Sequence, residues 1–119
     1  MKRITLLLIA ILSCVLINAQ DDYYVRQAKS YQSDAEYYIR QAQGYDRDSE
    51  YYTREAAGYL RDAEYNIRQK QYGRAIDLLC RARSSTERAD DNKRKADNAR
   101  YNARNSMRRA EDALQKVKN

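Results

Sequence analysis

The sequence contains no histidine, proline, tryptophan or phenylalanine, and only three glycines and two cysteines among its 119 residues. Without histidine, neither a Ser-His nor a Cys-His catalytic pair can form, and no glycine-rich phosphate loop follows a predicted strand. Without proline, no residue enforces a break in a long helix. These absences predict a helical protein that is not an enzyme and that holds no metal or other cofactor.

Residues 1–19 have the pattern of a secretory signal peptide. Lys2 and Arg3 precede an apolar run over residues 4–17, which is shorter than the roughly 20 residues that a membrane-spanning helix needs. Acidic residues follow Ala19, so cleavage after this alanine is expected. The sequence therefore predicts export to the periplasm or the cell exterior, with no transmembrane helix in the mature chain.

A second kind of processing is left open by residues 11–14, Ile-Leu-Ser-Cys. They loosely resemble the box at which bacterial lipoproteins are lipidated, and Cys14 would then carry the lipid. Under the first interpretation Cys14 is only an apolar residue of the signal peptide. The two alternatives differ in whether the exported protein is free or anchored.

From Tyr23 to Arg68 the chain repeats every fourteen residues, which is two heptads per unit. Small residues fill one heptad position and tyrosines the position three residues later, so the pattern predicts a long helix whose stripe another helix covers. We call these tyrosines, which also include Tyr24, the seam tyrosines. The seam residues predicted for the first helix are Ala28, Tyr31, Ala35, Tyr38, Ala42, Tyr45, Tyr52, Ala56 and Tyr59.

After Arg68 the heptad phase shifts and a second ladder of alanines begins. The shift predicts a turn near residues 69–71 and an all-α fold, a long antiparallel two-helix coiled-coil hairpin in which large tyrosines face small alanines. One continuous long helix is the alternative. The seam residues predicted for the second helix are Ala82, Ala89, Ala96, Ala103 and Ala110.

This interpretation divides the chain into a signal peptide (1–19), a tyrosine-rich repeat helix (20–70) and an Ala/Arg-rich helix (71–119). Charge favours the pairing of the two helices. Residues 21–70 carry 8 Lys and Arg against 10 Asp and Glu, whereas residues 71–119 carry 13 against 7. Opposite net charges of −2 and +6 attract one another.

Residues 71–82 resemble the second helix of a tetratricopeptide repeat, in which a tyrosine, an Ala-Ile pair and a later alanine recur at similar spacing. The likeness covers this segment alone and lacks the tandem 34-residue period, so it indicates a helix-turn-helix and no family. It predicts a packing cluster that closes the hairpin, formed by Tyr72, Ile76, Leu79 and Cys80.

Cys80 is the only cysteine that remains after the signal peptide is removed. In an oxidising compartment a single thiol is either a small buried hydrophobe or one half of an intermolecular disulfide. Both alternatives stay open at this point.

Tyrosines and arginines also recur on the side of the first helix that points away from the seam, and glycines alternate with the tyrosines. These residues could stay solvated with local cation-π contacts, form a lateral interface in which a tyrosine of one molecule fills a glycine notch of another, or bind glycans, peptidoglycan or another polyanion. Gly in a helix costs up to about 1 kcal/mol relative to Ala, so the glycines need a reason. The candidate residues are Tyr23, Tyr37, Tyr51, Tyr65, Gly44, Gly58, Arg26, Arg40, Arg47, Arg54, Arg61 and Arg68.

These patterns predict an exported coiled-coil structural or interaction protein that self-associates, with a second copy or another envelope protein as its partner. The alternative is a module that binds the cell wall or an anionic surface through its Tyr/Arg faces, including the arginine-rich second helix. Nucleic acid is not expected as a partner. The basic residues considered on the second helix are Arg81, Arg83, Arg88, Lys93, Arg94, Lys95, Arg108 and Arg109.

Overall fold

The computed structural model describes the backbone of residues 2–118 and the side chains of residues 20–117. It contains two helices, α1 over Lys2–Arg68 and α2 over Tyr72–Lys118, and no strand among the described residues. The prediction of an all-helical chain with a turn at residues 69–71 is confirmed, and the alternative of one continuous helix is wrong. The predicted signal peptide lies outside the residues whose side chains are described, and its cleavage stays a prediction.

The turn has the hydrogen bonds of a Schellman motif, a common way to end a helix. The amide of Gln71 donates to the carbonyl of Asn66 (2.8 Å), and the amide of Lys70 donates to the carbonyl of Ile67 (3.0 Å). Lys70 has a φ of 59°, in the left-handed region that favours glycine. Gly73 lies in the first turn of α2.

Asn66 stands where the heptad pattern would place a seventh seam tyrosine. It is buried, and its side-chain Nδ2 donates to the carbonyl of Asp62 (2.7 Å) while its own carbonyl accepts from Gln71. A tyrosine ring at this site would stand directly beside the turn. The asparagine replaces that ring with a short polar side chain whose amide is satisfied locally.

The chain divides into two compact units: a turn unit, Tyr38–Tyr101, and a terminal unit, Met1–Tyr37 with Asn102–Asn119. In the turn unit, Ala42 of α1 packs against Ala96 and Ala99 of α2, and the half-buried ring of Tyr45 packs on this cluster. Ala96 has no exposed surface at all. Apart from Tyr45, the cluster consists of alanines, so the two helix backbones can approach closely.

Polar contacts between the two helices of the turn unit fix their antiparallel direction. The hydroxyl of Ser49 donates to the carbonyl of Ala89 (2.9 Å), and Arg100 donates to the Asp46 carboxylate (2.7 Å). As α1 advances toward the turn, its contacts therefore move backward along α2. The second guanidinium nitrogen of Arg100 binds Asp97, and the two bonds together raise the pKa of this guanidinium.

The terminal unit, taken by itself, has the same antiparallel construction. Its buried side chains are again alanines and one serine. Arg109 and Lys116 of α2 lie over tyrosine rings of α1 in this unit. The buried residues are Ala28, Ala35, Ala103, Ser106 and Ala113.

Replacing Lys70 with glycine should stabilise the protein. A side chain in the left-handed region costs roughly 1–2 kcal/mol because its Cβ lies too close to a carbonyl oxygen, and glycine has no Cβ. We expect Lys70→Gly to raise the free energy of unfolding by about 1 kcal/mol, measured by urea denaturation followed with circular dichroism.

Gln69→Gly is the matched control for this substitution. Lys70 is the only non-glycine residue with a positive φ in the described chain, so glycine at the neighbouring position brings only its entropic cost and should destabilise. Equal effects of the two substitutions would show that the turn conformation is not the one described here.

Candidate functional site

The seam predicted from the heptads is built from buried small residues and half-buried rings. In the turn unit Ala42, Ala56, Ala82, Ala89 and Ala96 are buried. In the terminal unit Ala28, Ala35 and Ala103 are buried, and Ala110 is half-buried. The seam tyrosines with half-buried rings are Tyr24, Tyr31, Tyr38, Tyr45, Tyr52 and Tyr59.

Cationic side chains of α2 cover two of the half-buried rings in the turn unit. The guanidinium of Arg88 lies 5.7 Å from the centroid of the Tyr52 ring, and the ammonium of Lys95 lies 5.8 Å from that of Tyr45. Both distances are within the range of a cation-π interaction, which contributes about 0.5–1 kcal/mol at exposed sites. Tyrosine rings that the alanines cannot bury completely are thus shielded on the open side.

The terminal unit repeats this arrangement. Arg109 lies 6.0 Å from the centroid of the Tyr31 ring, and Lys116 lies 5.6 Å from that of Tyr24. In all four pairs of the two units, the tyrosine and the cation stand equally far along the sequence from Lys70. All four pairs are centred on Lys70 in the sequence, so within each unit the two helices pair in the same register.

The sequence did not indicate the covering role of these four cations. It suggested the basic residues of α2 as a surface for anions, whereas Arg88, Lys95 and Arg109 lie over rings of the protein itself. The available signal was their spacing. Arg88, Lys95 and Arg109 each directly precede a residue of the α2 alanine ladder, and Lys116 continues the same seven-residue spacing.

The outward tyrosines are exposed. Tyr23 and Tyr51 each meet the next tyrosine edge to face, with ring centroids 5.3 Å apart. A local cation-π contact, one of the alternatives for these residues, is not formed between Tyr23 and Arg26, because Arg26 donates to the backbone carbonyl of Asp22 (3.3 Å). Tyr23 instead accepts from the side chain of Gln27 (3.2 Å). Tyr37 and Tyr65 are likewise exposed.

The two glycines between these tyrosines border open space. A Cβ built on Gly44 would meet nothing within 4 Å, and one built on Gly58 would meet only the end of the Arg61 side chain at 4.0 Å. Packing within the fold therefore does not require a glycine at either position. Among the outward arginines, Arg68 reaches Glu64 at 4.0 Å, and Arg40 and Arg54 are exposed.

The predicted packing cluster at the turn is wrong. Tyr72, Ile76 and Leu79 are 58%, 59% and 42% exposed, and Cys80 is exposed as well. The physical reason is their position on α2. Ala75 and Ala82 occupy the seam there, so the larger residues beside them face away from α1. The resemblance to a tetratricopeptide repeat was misleading here, because no third helix in the described chain covers this face.

Exposed aliphatic residues of both helices share one edge of the turn unit. The ion pair between Asp46 and Arg100 shows that the heptad line of Asp46 on α1 and that of Arg100 on α2 lie side by side. Leu60 and Ile67 continue the first line toward the turn, and Leu79 and Tyr72 continue the second. Ile76 adjoins them. We call this surface the turn patch: Leu60, Ile67, Tyr72, Ile76 and Leu79.

Cys80 is a free, exposed thiol at the margin of this patch. The alternative in which Cys80 is a small buried hydrophobe is wrong, because the α2 seam passes through Ala75 and Ala82 and leaves Cys80 outside it. Ile76, Leu79, Cys80 and Arg83 line a shallow hollow on α2. The alternative, an intermolecular disulfide, stays a prediction.

The described residues contain no group of His, Cys, Asp and Glu that could hold a metal ion. They also form no helical stretch long and apolar enough to cross a membrane. Compared with known proteins, the chain matches no protein-family model, no curated protein and no solved structure. The surfaces described above are therefore the basis for the functional interpretation.

A double-mutant cycle tests the ring-covering contacts. We expect Arg88→Gln and Tyr52→Leu to show a coupling of about 0.5–1 kcal/mol in unfolding free energy, because each substitution removes the same cation-π contact. The measurement is urea denaturation of wild type, both single variants and the double variant at one protein concentration.

Arg83 provides the matched control, since it is an exposed arginine on α2 that covers no ring of the described residues. The cycle of Arg83→Gln with Tyr52→Leu should give no coupling. Additive effects in the Arg88 cycle would refute a cation-π contribution at this position.

Proposed function

We propose that this protein is an exported, non-catalytic structural or interaction protein, a coiled-coil hairpin that self-associates through the turn patch. The observation that carries the proposal is the distribution of apolar side chains. The buried residues of the turn unit are alanines with a few small polar residues, while five large apolar side chains of the same unit are 42–59% exposed. In soluble proteins, contiguous exposed apolar surface of this kind marks interaction sites.

The size of the effect supports a reversible contact. Completing the burial of a half-exposed large side chain contributes roughly 1 kcal/mol, so two facing turn patches contribute on the order of 10 kcal/mol. The loss of translational and rotational freedom opposes association by about 4–15 kcal/mol. Because these quantities are comparable, self-association should depend strongly on protein concentration.

A second copy fits the turn patch better than a highly charged partner does. None of the five patch residues is charged, and Arg83 and Glu64 lie only at its margins. A two-fold contact places the same patch on both molecules, so apolar surface meets apolar surface without burying an unpaired charge. Homo-oligomers most often form through such symmetric contacts.

Support for export comes from residues 1–19, whose basic start, short apolar run and small residue at the end are typical of a signal peptide. Support for coiled-coil packing comes from the heptads together with the antiparallel contacts inside each unit. The absence of histidine from the sequence supports a function without acid-base or nucleophilic catalysis of the usual kinds.

Sedimentation equilibrium tests self-association through the turn patch. We expect the mass of the wild-type protein to rise with concentration and the double variant Ile76→Gln, Leu79→Gln to remain monomeric over the same range, because two polar amides replace the centre of the patch. Circular dichroism at each concentration establishes that the variant is still helical.

Leu114→Gln is the matched control, because Leu114 is a comparably exposed leucine in the terminal unit. It should associate like wild type. A wild-type protein that stays monomeric and fully helical at high concentration would contradict the proposal. Association that is lost equally in the control would show that exposed apolar surface in general, rather than the turn patch, is responsible.

A further inference from the structure

A row of unpaired arginines follows the outer face of α1 in the turn unit. Arg47, Arg54 and Arg61 stand seven residues apart, which is about 10.5 Å along the helix, and all three are exposed. None has a hydrogen bond or an ion pair among the described residues. Arg40, exposed and likewise unpaired among the described residues, continues the row by one step. Four full charges at a constant pitch on one line are therefore available to a ligand, and the three nearest the turn are Arg47, Arg54 and Arg61.

Four of the eight cations of α2 in the same unit are engaged by rings or carboxylates. Arg88 and Lys95 lie over tyrosine rings, and Arg100 is held by two carboxylates. Arg94 is paired with Asp91. The other four, Arg74, Arg81, Arg83 and Lys93, have no such contact among the described residues. Only Arg74 and Arg81 share a heptad line, and that line continues into Arg88, which covers a ring. The longer row of free arginines in the turn unit is therefore on α1, and this helix is the stronger candidate for an anion-binding surface.

Tyrosines and glycines complete this surface. Tyr51 and Tyr65 are 58% and 57% exposed and stand fourteen residues apart, about 21 Å along α1. Gly44 precedes Tyr51 by seven residues, Gly58 lies midway between the tyrosines, and a Cβ at Gly44 would meet nothing within 4 Å. Projecting rings therefore alternate with low positions where a ligand can approach the helix backbone. We call these residues, with the three arginines, the outer strip.

Acidic neighbours leave the arginine row available. Glu64 reaches Arg68 rather than a member of the row, and Glu55 accepts a hydrogen bond from Tyr59. Glu50 stands four residues before Arg54, yet no ion pair joins them. Acidic side chains at intervals along the flanks would weaken the binding of a densely charged polyanion more than that of a sparsely charged one, because more like charges are brought close together.

We propose that the outer strip binds a linear acidic glycan that carries one acidic group per disaccharide. A disaccharide of an extended glycan is about as long as two helical turns, which is the spacing of the arginines. Arg binds carboxylates with two parallel hydrogen bonds, and the exposed tyrosine rings offer flat apolar faces, with a hydroxyl, to the C–H faces of sugars. The predicted export would bring the protein to the compartment where such glycans occur.

Hyaluronan oligosaccharides that span three disaccharides or more provide the probe, because they carry one carboxylate per disaccharide. Binding is measured by calorimetry at low salt with wild type and with the triple variant Arg47→Gln, Arg54→Gln, Arg61→Gln. We expect the triple variant to lose at least about tenfold in affinity, since three charge-assisted contacts are removed. Raising the salt concentration should weaken wild-type binding.

The control variant Arg83→Gln, Lys93→Gln, Arg94→Gln removes the same charge from exposed positions of α2. Its affinity should stay within about twofold of wild type, because only long-range electrostatics changes. Equal losses in both variants would overturn the proposal in favour of attraction by net charge alone. Failure of hyaluronan to bind at low salt, with helicity intact, would overturn it as well.

Three further probes separate the source of binding. Neutral dextran should not bind, which establishes that the acidic group is required. Oligothymidylate and vesicles containing anionic lipid should bind at least about tenfold more weakly than hyaluronan in molar terms of anionic groups, because their charges do not match the pitch of the row. Equal or tighter binding of either probe would replace the glycan proposal with a nucleic-acid or membrane surface.

Discussion

The close approach of two helices through small residues is the constraint on which the rest of this structure depends. Where Ala42 meets Ala96 and Ala99, no space remains for a large side chain between the backbones. A tyrosine on the seam must therefore lie partly outside it, as Tyr45 does. Dispersion contacts and the hydrophobic effect favour this close packing, but each alanine buries little apolar area and therefore contributes little to the free energy of folding.

The half-exposed rings explain the cations of α2. A ring that the seam cannot bury still presents its face to a neighbouring helix, and Arg88 and Lys95 cover that face in the turn unit. The long aliphatic stems of Lys and Arg shield apolar surface while the charged group remains in water. The basic character of α2 is thus partly a structural property, and counting its charges alone overstates what it offers to a ligand.

The same constraint places the aliphatic side chains on the surface. Because alanines occupy the seam near the turn, Ile76 and Leu79 stand beside it and Ile67 faces outward on α1. A two-helix fold has no further element among the described residues to cover them. This exposed apolar surface is the physical basis of the proposed self-association.

The heptads were sufficient to predict two helices, the site of the turn and most of the buried alanines, because a seven-residue spacing maps directly onto one helix face. They were not sufficient for contacts that depend on side-chain reach. The covering role of Arg109 and Lys116 depends on register between helices, which is known only once the turn is fixed. The cluster predicted at Tyr72 is wrong because the resemblance to a known repeat implied further helices, and the described residues contain only two.

The candidate surfaces, too, are predicted only in part by the sequence. Outward Tyr51 and Gly44 follow from the fourteen-residue repeat, since position on a helix determines whether a residue faces the seam. The sequence does not predict which arginines are free, because a flexible arginine side chain can pair with any of several neighbouring carboxylates. Likewise no sequence feature indicated the left-handed conformation at Lys70, because glycine is the residue usually found in that conformation.

The most direct test of the account is a distance between spin labels on the two helices of the turn unit. Labels on cysteines introduced at Gln43 and Asn98, both exposed, with Cys80 replaced by serine, report on the antiparallel pairing. Helices packed through alanine lie within about 10 Å axis to axis, so the labels should be within about 25 Å of each other. A single continuous helix would separate them by roughly 80 Å, and a distance of that size would contradict the account.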